Sequence, residues 1–95
     1  MVRFGDFTFD PARGELRQGE TLVRISERER DILAVLAAAC GETVSREALG
    51  ASDAANERTI DVQINRLRRK IERDPAEPMH LQTVRGMGYR LVIDF

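Results

Sequence analysis

The sequence predicts a single α+β domain, in which short strands at the N-terminus precede helices and a strand hairpin closes the chain. Three observations lead to this fold class. Apolar and polar residues alternate over residues 1–25, apolar residues recur at helical spacing in the middle, and two strand-like stretches flank a glycine-rich turn near the end. A chain of 95 residues has room for one modest core, so residues 1–95 are expected to form one domain.

The N-terminal segment contains four strand candidates separated by turn-forming residues. The candidates are residues 2–4, 7–10, 15–17 and 21–24. Gly5-Asp6 is suited to a tight turn between the first two. The alternation predicts a small antiparallel meander with one buried face.

The first helix is predicted to begin after residue 26. Ser26 and Glu29 form a capping box, in which the serine hydroxyl accepts a backbone N–H and the glutamate reaches back to the cap. An apolar stripe at i, i+3, i+4 and i+7 follows, made of Leu33, Leu36, Ala37 and Cys40. Cys40 is therefore expected in the core, and Gly41 is expected to end the helix.

Two further helices are predicted. A short second helix is expected over residues 45–49, between a serine cap and Gly50. The third is expected over residues 56–73, with Asn56 as its N-cap and Asp74-Pro75 as its end, since proline disfavours a helical residue before it.

The third predicted helix has two contrasting faces at about 100° per residue. Its apolar stripe, expected to face the core, consists of Ile60, Ile64, Leu67 and Ile71. The opposite face carries Arg58, Thr59, Val62, Asn65, Arg66, Arg69 and Arg73, with Gln63 and Lys70 on one flank. Arginine donates in pairs to guanine, amides pair with adenine, a valine methyl contacts thymine, and further arginines suit phosphates. This mixture favours a surface that reads duplex DNA.

The order of elements supports that interpretation. Residues 81–84 and 89–93 are predicted strands around the glycine-rich residues 85–88, so a short helix, a basic helix and an arginine-bearing hairpin follow one another. This is the order of a winged helix-turn-helix. Two alternatives stay open: a solvated helix whose arginines pair with nearby acids, and a winged-helix module whose basic face binds an acidic partner protein.

Several segments resemble the C-terminal domain of OmpR/PhoB-type response regulators. Residues 58–71 (RTIDVQINRLRRKI) resemble the family's recognition helix, and residues 83–91 (TVRGMGYRL) resemble its wing. Residues 44–47 with Leu49 are similar to the start of its second helix, and residues 26–36 are similar to its first. The resemblance covers nearly the whole chain, in order.

The resemblance implies a winged helix-turn-helix with a four-stranded N-terminal antiparallel sheet, three helices and a C-terminal β-hairpin wing. It implies sequence-specific binding of double-stranded DNA by the effector domain of a two-component transcriptional response regulator, with the third helix in the major groove. The implied base reader is Arg66, and Thr59, Val62 and Gln63 are implied to contact base edges or nearby phosphates. The residues implied to hold the DNA backbone are Arg58, Asn65 and Arg68. Arg85, in the wing, is implied to reach the minor groove. Arg69, on the same face as Arg66, suits a phosphate.

The resemblance also implies partners. The family usually binds as two copies on tandem direct repeats, so the isolated domain is expected to be a monomer in solution and a dimer on DNA. A receiver domain with its phosphoacceptor aspartate is not recognisable here, and an excised domain is expected. RNA polymerase is a further implied partner, through the loop after the second helix. In this chain the segment of residues 48–57 is several residues shorter than expected for the family, and the chain has no tryptophan, and both features count against this contact.

Composition points away from catalysis, metals and cofactors. The net charge is −1, but basic side chains are in excess within residues 56–95, which allows a positive face on a nearly neutral molecule. A single cysteine excludes an internal disulfide and a multi-cysteine zinc site, and no nucleophile–base pair or cofactor loop is apparent. The lone His80 is expected at the surface or at a cap. With no secretory signal and no apolar run of about 20 residues, a cytoplasmic protein without a membrane partner is expected.

Four residues are expected to act within the fold. By family analogy Asp61 is a structural acid paired with a nearby arginine, and Arg68 lies close enough to the apolar stripe to pack its stem inward. Gly88 is expected to let the hairpin turn, and Tyr89 to anchor the hairpin on the core.

Overall fold

The computed structural model describes residues 1–50 and 54–94, and it begins with a four-stranded antiparallel meander. The strands are β1 (Val2–Phe4), β2 (Phe7–Asp10), β3 (Glu15–Gln18) and β4 (Thr21–Val23), in spatial order β1-β2-β3-β4. The predicted alternation is confirmed, because Phe4, Phe7, Phe9 and Leu16 all point into the core. Their polar neighbours along the strands form the outer face of the sheet.

Helix α1 (Glu27–Ala38) begins with the predicted capping box. The Glu29 backbone N–H donates to Ser26 Oγ at 3.1 Å, and the Ser26 N–H donates to Glu29 Oε1 at 3.0 Å. The same carboxylate oxygen accepts from Lys70 Nζ at 2.8 Å, although the Glu29 side chain is nearly buried. One acidic residue therefore caps α1 and also ties it to a later helix.

The expected burial of Cys40 is wrong. The helix ends at Ala38, and Cys40 itself takes a left-handed backbone conformation (φ 52°) ahead of Gly41 (φ 89°). Because the helix ends before it, Cys40, seven positions beyond Leu33, no longer continues the apolar stripe and is exposed.

The predicted second helix is also wrong: residues 46–50 form hydrogen-bonded turns, and the described residues contain two α-helices rather than three. Ser45 caps the segment as expected, with its Oγ accepting from the Ala48 N–H at 3.1 Å. However, Val44 is held in a β-bridge just before it, and Gly50 ends it with φ 115°. Only one turn fits between these two limits, and a single turn gains little from helical propagation.

Helix α2 (Ala54–Ile71) is the longest element. It begins two residues before Asn56, so the prediction of Asn56 as N-cap is wrong, and it ends two residues before the predicted Arg73. Beyond its end the buried Glu72 carboxylate accepts the backbone N–H groups of Met79, His80 and Leu81 at 2.7–3.2 Å. This residue fastens the loop that leads into the hairpin.

The hairpin consists of β5 (Leu81–Val84) and β6 (Gly88–Leu91), paired antiparallel. Its second strand starts one residue earlier and ends two residues earlier than predicted. The core draws buried side chains from β1, β2, β3, α1, α2, β5 and β6, and Val44 and Leu49 of the connecting segment join it. Within residues 1–50 and 54–94, no helix combines the length and apolar character that crossing a membrane requires.

Candidate nucleic-acid interface

Helix α2 turns its predicted apolar stripe fully inward. The buried residues of this stripe are Ile60, Ile64, Leu67 and Ile71. The exposed residues of the opposite side are Arg58, Val62, Asn65, Arg66 and Arg69, and we call them the basic face. Positions 58, 62, 65 and 69 are spaced by three or four residues and Arg66 adjoins Asn65, so the set follows one side of the helix over about 16 Å. Val62 is 47% exposed in the middle of this charged surface.

The arginines of the basic face have no acidic partner in the part of the chain that the structure describes. The side-chain ion pairs found there are Arg17–Glu15, Arg46–Asp61 and Lys70–Glu29. Arg58, Arg66 and Arg69 belong to none of them. This arrangement does not match a solvated helix whose arginines pair with nearby acids, and it leaves their guanidinium groups available to an external anion.

Thr59 and Gln63 lie at the margins of the basic face and are half-buried. The Gln63 Oε1 atom is buried without a hydrogen-bond partner among the described residues. A buried amide oxygen without a partner is costly, so Gln63 Oε1 is an acceptor that a further donor would satisfy.

Arg68 is placed differently from the other arginines of α2. It is only 9% exposed, its Nε donates to the Leu81 carbonyl at 2.9 Å, and its terminal Nη2 donates to Thr83 Oγ1 at 2.7 Å. The prediction that its stem packs inward is confirmed. Its guanidinium is engaged with the hairpin rather than presented on the basic face.

Asp61 has the structural role expected of it. Its Oδ1 accepts from Arg46 Nε at 2.8 Å and from the Tyr89 hydroxyl at 2.5 Å. Burial raises the pKa of Tyr89, and the hydrogen bond to Asp61 raises it further, so the hydroxyl keeps its proton at neutral pH. The hydrogen bond to Asp61 likewise raises the pKa of Arg46. Sequence reasoning did not identify Arg46, because nothing in the pattern shows which arginine reaches Asp61.

Tyr89 anchors the hairpin as predicted. Its ring is buried, and the guanidinium carbons of Arg46 and Arg68 lie 5.8 and 5.5 Å from the ring centroid. Its backbone also pairs with Val44, through hydrogen bonds of 2.7 and 2.9 Å. Gly88 leaves no room for a side chain, since a Cβ there would lie 2.1 Å from the Val44 carbonyl oxygen.

The tip of the hairpin projects away from this anchored base. Arg85, Gly86 and Met87 are exposed, and the turn is closed by the Met87 N–H, which donates to the Val84 carbonyl at 2.9 Å. The hairpin therefore presents one exposed arginine at its hydrogen-bonded turn.

In the described part of the chain, the remaining titratable residues form no candidate metal site. His80 is half-buried, less exposed than the surface position predicted for it, and its ring lies beside the rings of Phe4 and Phe7. No group of three or more potential metal-binding side chains occurs in residues 1–50 and 54–94.

A family model, related sequences and solved structures all point to one family of proteins. The family model "Transcriptional regulatory protein, C terminal" matches residues 19–91. The protein PetR of Rhodobacter capsulatus is 48% identical over 103 residues, which cover 98% of this chain and 44% of PetR. The DNA-binding domain of Klebsiella pneumoniae RstA, crystallised with the RstA box, superposes with a TM-score of 0.80 at 34% identity and covers 95% of this chain and 94% of that one. DrrB of Thermotoga maritima, an OmpR/PhoB homologue, superposes with a TM-score of 0.82 at 31% identity, and the match covers 95% of this chain and 43% of DrrB.

The chain spans less than half the length of the curated relatives it matches. The match to PetR runs over more residues than the 95 of this chain, so PetR has residues without a counterpart here. The predicted shortening over residues 48–57 falls partly outside the described residues and stays a prediction.

Proposed function

Because this chain belongs to the OmpR/PhoB-type family of transcriptional regulatory protein C-terminal domains, we propose that it binds double-stranded DNA sequence-specifically as the effector domain of a two-component response regulator. The observation that carries the proposal is the basic face. It combines arginines that have no acidic partner among the described residues with the exposed Val62 and Asn65, opposite a fully buried apolar stripe. An acidic protein partner would require the charges but not this mixture.

In the proposed complex α2 lies in the major groove, which is wide enough to admit a helix. Arg66 donates in a pair to guanine O6 and N7, and Val62 contacts a thymine methyl. Thr59 and Gln63 contact base edges or the neighbouring phosphates, and Gln63 Oε1, which has no partner among the described residues, would accept a hydrogen bond from an exocyclic amine of a base. Arg58, Asn65 and Arg69 hold the phosphate backbone, which sets the register of the helix.

The wing supplies the second part of the proposed contact. Arg85 enters the minor groove, where a narrow A·T-rich segment concentrates negative potential. Arg68 contributes to this contact from inside the fold by holding the hairpin, since two of its nitrogens already donate to β5.

The longer protein to which such a domain belongs would add a receiver domain that controls assembly. We infer that two copies bind tandem direct repeats, that the isolated domain is a monomer in solution, and that RNA polymerase is a partner of the assembled regulator. A cytoplasmic location follows from that role.

Selection of bound sequences from a random duplex pool, at stated salt, tests the proposal. The wild type is expected to enrich one motif, and an Arg66→Ala protein is expected to enrich a motif that is degenerate at one position. Arg28→Ala is the matched control, because Arg28 is an exposed arginine of α1. A wild-type pool without an enriched motif would contradict the proposal and favour the acidic-partner alternative.

A further inference from the structure

The proposed DNA-binding helix and the hairpin are joined by side chains that meet at one rung of the hairpin. Asp61 and Arg68 lie seven residues apart on α2, so both project from the same side of the helix. Arg68 donates to Thr83 Oγ1 on β5, and Asp61 accepts from the Tyr89 hydroxyl on β6. Thr83 and Tyr89 face each other across the two strands.

We propose that Asp61, Arg68, Thr83 and Tyr89 form a clamp that sets the position of Arg85 relative to Arg66, so that Tyr89 is a positioning residue for DNA recognition. This inference rests on the proposed function, because it concerns how two separate DNA contacts are kept in register. None of the four clamp residues is required to touch DNA.

The clamp is closed from its other side by the segment before α2. Arg46 donates to the same Asp61 oxygen as Tyr89 and lies over the Tyr89 ring, while Arg68 also contacts that ring. Val44 pairs with the Tyr89 backbone through both of its polar groups. Tyr89 is therefore fixed by its ring, its hydroxyl and its backbone at once.

The clamp lies close enough to the tip to control it. Thr83 is two residues before Arg85, and only the Val84–Gly88 pair separates the clamped rung from the turn. A two-stranded hairpin with strands of four residues is marginal on its own, so its orientation depends on what holds its base. A small shift at the Thr83–Tyr89 rung is carried to the Arg85 guanidinium.

A double-mutant cycle separates positioning from general stabilisation. Affinity for the selected duplex is measured for the wild type, Tyr89→Phe, Arg85→Ala and the double variant, with thermal unfolding used to verify folding. When Arg85 is present, loss of the Tyr89 hydroxyl in Tyr89→Phe is expected to weaken DNA binding by about three- to tenfold. In the Arg85→Ala background the same change is expected to alter affinity by less than about twofold, since no wing contact remains to be positioned.

A second variant guards against a folding defect in Tyr89→Phe. Thr83→Val removes the Oγ1 acceptor of Arg68 and keeps the side-chain shape, and it is expected to show the same dependence on Arg85. Thr21→Val, the same change on an exposed residue of β4, is the matched control and is expected to leave affinity unchanged.

The outcomes are distinguishable. Equal losses in both backgrounds would overturn the inference, because Tyr89 would then act on the whole domain. Wild-type affinity for both clamp variants would overturn it as well. An Arg85→Ala protein with wild-type affinity would overturn the clamp while leaving the major-groove proposal intact, and only the absence of an enriched motif would remove the proposed function itself.

Discussion

The Tyr89 hydroxyl donates a hydrogen bond of 2.5 Å to Asp61 Oδ1, and this contact joins the hairpin to the helix that carries the basic face. The two residues are 28 positions apart in sequence. The contact uses one oxygen of a carboxylate that also accepts from Arg46, so three segments of the chain meet at Asp61.

Gly88 is expected to tolerate no side chain. In Gly88→Ala the new Cβ would collide with the Val44 carbonyl, a backbone atom, and we expect a loss of more than about 2 kcal/mol in the free energy of unfolding. Gly86→Ala is the matched control, since its φ of 75° is strained but the space around it is open, and a loss of about 1 kcal/mol is expected. Urea denaturation measures both, and equal losses would contradict the close packing of Gly88.

Glu29 is expected to make stability sensitive to acid. Burial opposes its ionisation, but hydrogen bonds from Lys70 and Ser26 outweigh that effect and hold the pKa of Glu29 below its ordinary value of 4.5. A carboxylate with a lowered pKa stabilises the fold above its unfolded-state pKa, and this contribution disappears as pH falls through the folded-state pKa. The advantage of the wild type over Glu29→Gln in free energy of unfolding should therefore begin to shrink as pH falls below 4.5 and continue to shrink at more acidic pH.

The control for Glu29 is Glu27→Gln, which changes an exposed acid in the same first turn of α1. Its difference from the wild type is expected to vary much less over the same pH range. A difference between wild type and Glu29→Gln that does not depend on pH would contradict the proposed role of the ionised carboxylate.

Arg85 is expected to sense the composition of the flanking DNA. Arg85→Ala should weaken binding more on a duplex with an A·T-rich minor-groove flank than on one with a G·C-rich flank, because the narrower groove attracts the guanidinium more strongly. Fluorescence anisotropy titrations with the two duplexes measure the difference. Equal losses on both would assign Arg85 to an ordinary phosphate contact.

Local sequence patterns were sufficient for most of the fold. Alternation around Phe7 and Phe9 predicted the sheet, and the pair Ser26 and Glu29 predicted the start of α1, because each depends on residues close in the chain. Cys40 was misplaced since its burial depends on where the helix ends, and a small shift of that end turns the side chain outward. The predicted second helix failed for a tertiary reason, the pairing of Val44 with Tyr89.

The sequence predicted the exposed residues of the site but not the internal contacts that support them. The spacing of Arg66 and Val62 around the apolar stripe follows from helical geometry alone. The partners of Asp61 and Arg68 do not, because contacts between α2, the hairpin and Arg46 are set by packing across long sequence separations. A long arginine near the stripe is compatible with either a DNA phosphate or an internal carbonyl, and the Leu81 and Thr83 contacts appear only in three dimensions.

The most direct test of the account is the affinity and specificity of Arg66→Ala on the selected duplex, compared with the wild type and the Arg28→Ala control. Each protein is titrated against the selected site and against duplexes changed at single base pairs, at one salt concentration. We expect Arg66→Ala to lose about 1–3 kcal/mol of binding free energy and to lose discrimination at one base pair, while Arg28→Ala keeps both. Wild-type affinity and discrimination in Arg66→Ala would contradict base reading by α2.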